Sequence, residues 1–226
     1  MKTRFIGDVH GLKYELSILL DNIPQDVTSV VQVGDMGIGF GQGDYWHESL
    51  DDMMQKVNGR FIRGNHDNPS MCKTMKTWIP DGVVENDIMY VGGAWSIDYQ
   101  WRTKGIDIWD DEELSYEELE RLIDVYTLVA PSIMVTHDCP LSVSNKLFIE
   151  NGKSFSNKQY KTRTGMALEA MLEIHKPKLH VFGHWHNDAD RIIDGTRFIC
   201  LDELSYVDID TETLEVKWPD GRQPKS

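Results

Sequence analysis

The chain has 226 residues, 40% of them apolar and 27% charged, with 18 Gly and 8 Pro, a composition close to the globular average and far from disordered or low-complexity classes. Its 23 Lys and Arg stand against 37 Asp and Glu, and the formal net charge of −14 excludes a basic protein that coats long nucleic acid. No run approaches the roughly 18 apolar residues of a membrane span, the amino end lacks the apolar core of a signal peptide, and Cys72, Cys139 and Cys200 form neither a disulfide framework nor a Cys-x-x-Cys knuckle, so a cytoplasmic chain without a membrane partner is expected.

Along the chain, the apolar run Arg4–Gly7 reads as a first strand, ending at a carboxylate. Leu12, Leu16, Leu19, Leu20 and Ile23 recur at helical spacing, and Ser29–Gly34 reads as a second strand that also stops at Gly-Asp. Asp44 is a suitable N-cap for a helix to about Val57, followed by strands over Gly59–Arg63 and Asp87–Gly92. Helices are predicted over Ser115–Leu128 and Thr164–His175, and strands over Ser132–Thr136, Leu179–Gly183, Arg197–Leu201 and Tyr206–Ile209. No repeat or linker divides the chain, so residues 1–218 are expected to form one domain, with a frayed tail over 219–226.

Five segments follow predicted strands and carry oxygen and nitrogen donors: Asp8-Val9-His10, Gly34-Asp35, Gly64-Asn65-His66-Asp67, Thr136-His137-Asp138 and Gly183-His184-Trp185-His186. In a parallel or mixed sheet the C-terminal strand ends gather on one edge, which brings distant segments together. Imidazoles, carboxylates and one amide suit divalent ions such as Mn²⁺, Zn²⁺, Fe or Ni²⁺ rather than Ca²⁺ or a thiolate-bound structural zinc, and two ions are expected rather than one.

These five blocks, in this order, resemble the pattern D-x-H, G-D, G-N-H-D/E, H, G-H-x-H of the calcineurin-like metallophosphoesterase superfamily, over most of the chain. The resemblance implies an α/β fold, a metallophosphoesterase-like β-sandwich flanked by helices. It implies that Asp8, His10 and His186 hold one metal, that Asn65, His137 and His184 hold the other, and that Asp35 bridges them. His66 would face the substrate phosphate, with Asp67 hydrogen-bonded to its other nitrogen; a purely structural His66–Asp67 pair is the alternative. Two cations about 3.5–4 Å apart can share a hydroxide, lower its pKa and clamp phosphoryl oxygens for in-line attack. Mn²⁺ is the first expectation for both sites.

The expected reaction is hydrolysis of a phosphoester on a small phosphorylated compound, a nucleotide first. The rival readings are a protein Ser/Thr phosphatase, a phosphodiesterase or nuclease acting on cyclic nucleotides or short nucleic acids, and a binding module that kept only the fold. Gly34-Asp35-Met36-Gly37-Ile38-Gly39 lacks the Arg that protein phosphatases of the superfamily place shortly after G-D, which counts against a phosphoprotein substrate. Gly37, Gly39, Gly41 and Gly43 read as a turn allowing close approach to the metals rather than a P-loop. Between Gly92 and Trp109, the aromatics Trp95, Tyr99, Trp101 and Trp109 accompany Arg102 and Lys104, and Trp101 and Arg102 are candidate substrate-binding residues on a lid, with core aromatics as the alternative. From Asp107 to Asp124 nine acids meet one Arg, read as a solvated helix face. His47, His175 and His180 are expected at the surface or in the core, and Cys139 as a small buried hydrophobe.

Overall fold

The apolar runs form strands because both of their faces are covered: every residue of Ile88–Val91, Ile133–Thr136 and Leu179–Phe182 is buried. A computed structural model describes residues 1–40, 45–150, 161–219 and 224. In chain order the elements are β1 (Lys2–Ile6), α1 (Lys13–Asp21), β2 (Ser29–Gln32), α2 (Tyr45–Lys56), β3 (Gly59–Phe61), α3 (Pro69–Cys72), β4 (Val84–Glu85), β5 (Ile88–Val91), a 3₁₀ turn (Tyr99–Trp101), α4 (Tyr116–Val129), β6 (Ile133–Thr136), α5 (Leu141–Ser144), a π-helical turn (Asn145–Ile149), α6 (Arg163–Ile174), β7 (Leu179–Phe182), β8 (Ala189–Ile193), β9 (Thr196–Cys200), β10 (Tyr206–Asp210) and β11 (Val216–Lys217).

Two mixed sheets result, ordered β11-β10-β1-β2-β3 and β4-β5-β6-β7-β9-β8. Alternation along each strand sends one set of side chains between the sheets and the other set outward. Phe5, Val31, Val33 and Ile62 from the first sheet meet Tyr90, Val135, Val181 and Ile199 from the second in the shared core. On the outer faces, Ile6, Val30 and Phe61 pack with Leu16, Leu20 and Leu50 of α1 and α2, while Met89 and Met134 pack with Leu122 and Leu168 of α4 and α6. The architecture is therefore an α/β sandwich with helices outside both sheets, as expected from the sequence.

The topology decides where the chemistry goes. Strands β1, β2 and β3 run parallel, as do β5, β6, β7 and β9, so their C-terminal ends lie along one edge. All five donor-bearing segments leave the sheets there.

Several features depart from the expectations. The short elements β4, α3, α5 and β11 were not foreseen, nor was β8, whose Asp190 and Arg191 hide its strand character. Asp190 pairs with Arg197 of β9 through two hydrogen bonds of 2.8 and 2.7 Å, a charge pattern suited to a sheet edge. The acidic run is not all solvated: Glu112 and Glu113 are buried ahead of α4, and Glu113 accepts from the Thr164 N–H at 2.9 Å. The helix itself starts at a capping box made by Ser115 and Glu118. His180 is a core histidine 2.7 Å from Thr136 Oγ1, and Cys139 is buried. Asp44, Gly41, Gly43 and most of the 219–226 tail lie outside the described residues.

Candidate metal centre

The loop after each strand places one or two donors, and the backbone is shaped to aim them. His10, Asp35, His184 and His186 have φ of 48°, 58°, 67° and 45°, the left-handed region that costs a non-glycine residue on the order of 1–3 kcal/mol. Such strain persists only where the surroundings over-determine it, and here they do. The N–H groups of Val9 and His10 both donate to the Asp35 carbonyl, at 2.9 and 2.8 Å, and the Gly11 N–H donates to Met36 at 3.0 Å. Glycine is required where the donors crowd the chain: a Cβ on Gly64 would sit on Asp35 Oδ1, and one on Gly34, whose φ is 103°, would enter the His137 ring.

Asp8, His10, Asp35 and His186 each offer a ligand atom, and these atoms all lie within 4.8 Å of one another. His10 Nε2 and His186 Nε2 are 3.3 Å apart, and His186 Nε2 is 3.3 Å from Asp8 Oδ2. Asp8 is held from behind by the His184 N–H, 3.2 Å from both carboxylate oxygens. On the other side of Asp35 stand His137 and Asn65: His137 Nε2 is 3.3 Å from Asp35 Oδ1 and 3.0 Å from Asn65 Oδ1. The His184 ring lies edge-on to that of His137, with centroids 5.1 Å apart. His137 Nδ1 donates to the Val33 carbonyl at 2.9 Å, which turns Nε2 toward the centre. Asp35 thus lies between two groups of donors.

The electrostatics divide the donors, with burial lifting the Asp8 carboxyl to about 8. Burial works against ionisation of Asp35, yet the charges of His137 and His66 hold its carboxyl well below the usual range. Burial likewise opposes charge on His137, and Asp35 with Asp8 overcomes it, lifting the ring to about 10. Burial lowers His10 to about 4 and His184 well below the ordinary imidazole value, so both rings are neutral with lone pairs free to ligate. Asp35 Oδ2 is buried without an aligned donor, with His66 Nδ1 at 2.8 Å and His10 Nε2 at 3.9 Å. A buried carboxylate oxygen without an aligned donor, with the neutral His10 ring 3.9 Å away, suits a divalent cation.

His66 does stand at the centre, but its expected partner does not. Its Nδ1 is 3.1 Å from His10 Nδ1, its Nε2 touches Arg102 Nη2, and its N–H donates to Asp35 Oδ1 at 2.7 Å. Asp67, assigned from the sequence to fix the His66 tautomer, turns the other way. Its carboxylate accepts four backbone N–H groups, from Gly64 at 2.7 Å, Gly37 at 2.8 Å, Ile38 at 2.9 Å and Met36 at 3.2 Å. The corrected role is a strut that locks the turn after Asp35 to the loop carrying Asn65 and His66. Three N–H groups of a buried turn and a fourth from Gly64 need an acceptor more than one imidazole does.

Arg102 reaches the centre from the aromatic segment. Its guanidinium is 2.8 Å from Asp98 Oδ1, donates to the Asp107 carbonyl at 3.2 Å, and lies 5.4 Å from the Phe40 ring centroid. Trp101 is 85% exposed, which removes the core-aromatic alternative for this residue. Reading the sequence missed Gln32, which ties the strand ends by donating to the Gly7 carbonyl at 3.1 Å and accepting from the Gly34 N–H at 3.1 Å. It also missed Ser96 and Glu112, buried behind Asn65. A polar residue in a predicted buried strand was the available signal for Gln32; nothing local marked the other two.

The family model described as calcineurin-like phosphoesterase matches residues 1–188. Among solved structures, TT1561 of Thermus thermophilus is similar with a TM-score of 0.64 at 9% identity, over 98% of this chain and 99% of that one. A dimetal phosphatase from Danio rerio is similar with a TM-score of 0.57 at 14% identity, over 92% and 91% of the two chains. GAP50, the anchor in the inner membrane complex of Plasmodium, gives a TM-score of 0.50 at 11% identity over 99% and 86%. At these identities the likeness is one of fold. No curated protein matches the sequence. Among the described residues no helix is long and apolar enough to cross a membrane.

Proposed function

Because the chain belongs to the calcineurin-like phosphoesterase family, we propose that it hydrolyses phosphoesters at a pair of divalent cations held on either side of Asp35. Asp8, His10 and His186 would hold one cation, Asn65, His137 and His184 the other, with Asp35 shared. The observation that carries this reading is the position of Asp35, a buried carboxylate with imidazole nitrogens close to both of its oxygens. Mn²⁺ is the proposed metal; Zn²⁺, Fe and Ni²⁺ suit the same nitrogen and oxygen donors. When bound, such a pair supplies Lewis-acid activation of water and a clamp on phosphoryl oxygens. The dimetal phosphatase from Danio rerio, on the same fold, supports this reading.

The chain's own residues supply the rest. Arg102, held by Asp98 beside His66, is the cation placed to pair with phosphoryl oxygens. His66 lies between Asp35 and Arg102, where the Asp35 charge outweighs burial and favours the protonated ring that would donate to the leaving oxygen. Trp101, on the 3₁₀ turn beside Arg102, offers an exposed indole for stacking, which favours a nucleotide among small phosphorylated substrates. Hydrolysis of a panel of chromogenic mono- and diesters by the metal-stripped and Mn²⁺-reloaded chain tests the reaction class. Turnover only after reloading supports it, and metal-independent or absent turnover across the panel overturns it.

Trp101→Ala is expected to raise KM for nucleotide substrates about tenfold, the scale of one lost base stack, and to leave KM for a small chromogenic ester within about twofold. Equal losses on both substrates would remove Trp101 from the binding surface.

A further inference from the structure

Behind Asn65, away from the metal centre, runs a chain of two buried residues. Ser96 is 1% exposed and Glu112 5% exposed, and both come from the segment joining β5 to α4. Asn65 Nδ2 donates to Ser96 Oγ at 3.0 Å, and Ser96 Oγ donates to Glu112 Oε2 at 2.6 Å. The direction of this chain follows from its chemistry. An amide nitrogen only donates, so the hydroxyl accepts from Asn65 and its single proton goes to the carboxylate.

With Glu112 ionised, a turned-over amide would set its oxygen and the Glu112 carboxylate competing for that one proton, and one of two buried acceptors would be left unpaired. The chain therefore fixes which end of the amide faces the donors: Asn65 Oδ1, 3.0 Å from His137 Nε2. Glu112 is itself anchored. Its Oε1 accepts from the Trp109 N–H at 3.3 Å, and its carbonyl accepts from Arg63 Nη1 at 2.8 Å, while Arg63 Nε pairs with Asp81 Oδ2 at 3.0 Å.

We propose that Ser96 and Glu112 are positioning residues that hold the Asn65 amide with its oxygen toward the second cation, making it a ligand rather than a donor that repels the ion. The proposal rests on the reading of Asn65 as a metal ligand. It predicts two residues whose loss acts on one metal site and spares the other. It also predicts that they act in series, because among the described contacts Glu112 reaches Asn65 through Ser96.

The test is a calorimetric titration of the metal-stripped full chain with Mn²⁺, comparing wild type with Asn65→Ala, Ser96→Ala, Glu112→Ala, Glu112→Gln and the Ser96→Ala/Glu112→Ala double variant. Wild type should bind in two steps and Asn65→Ala should lose one of them, which establishes the underlying reading. Ser96→Ala and Glu112→Ala should weaken that same step about 10–100-fold and leave the other within about threefold, the scale seen when outer partners of a ligand are removed. Glu112→Gln retains an oxygen acceptor for Ser96 and should stay near wild type. The double variant should be no weaker than Ser96→Ala alone. Equal weakening of both steps, accompanied by a lower Tm of the metal-free chain, would make the pair merely structural and overturn the proposal. An unchanged step in Ser96→Ala would overturn it too. A wild type whose binding ignores Asn65→Ala would overturn the ligand reading and this proposal with it.

Discussion

Asp35→Asn is expected to lower kcat by on the order of 10³ or more and to reduce the bound metal below two ions per chain, while the fold persists. The substitution suits the backbone, since Asp35 has φ of 58° and Asn is among the few residues that tolerate that region. The amide oxygen can also still accept the His66 N–H now bonded to Oδ1 at 2.7 Å. What disappears is one negative charge, at the point where two groups of donors face each other. Two cations held a few ångströms apart would repel strongly in a buried site, and a shared Asp35 carboxylate would offset this repulsion. Metal content by elemental analysis, turnover, and thermal unfolding of the metal-free chain check the result. A variant with two ions and normal turnover would remove the bridge from the account.

His66→Ala is the second large effect. Its expected outcome differs in kind: metal content near wild type, with kcat lowered about 10²–10⁴-fold, the range for a lost acid or charge-stabilising group. His66 sits 2.8 Å from Asp35 Oδ2 and also contacts Arg102, so it lies between the proposed metal ligands and the proposed phosphate-binding residue. If elemental analysis instead shows one ion lost, His66 is a ligand and the division of roles is wrong. The variant should also free Arg102 of a close neighbour, so KM should change less than kcat.

The sequence made the sandwich and its donor edge legible through one feature, the apolar run that stops at a glycine and a donor. That signal is physical: strands covered on both faces must be apolar, and the turn after them must make room, as Gly34 and Gly64 do for His137 and Asp35. It fails for β8, where a charged pair stands on a sheet edge, and for β4 and β11, too short to carry a pattern. Donor residues were legible by type, but their partners were not. Asp67 follows His66 directly, yet its carboxylate serves the turn that follows β2, a contact between segments some thirty residues apart. Glu112 lay hidden inside a run of acids whose average character is solvated, and its burial goes with contacts to Ser96, earlier in the same segment, and to Arg63 from the end of β3. Arg102 was singled out as a cation among aromatics. Its contact with His66 needed the fold to bring residues 66 and 102 together.

The central claim is that two cations sit on either side of Asp35, and anomalous diffraction from crystals of the chain equilibrated with Mn²⁺ tests it most directly. The account predicts two peaks about 3.5–4 Å apart. One should lie among Asp8, His10 and His186, the other among Asn65, His137 and His184, with Asp35 reaching both. A single peak, or a pair that leaves Asp35 uncoordinated, would contradict it.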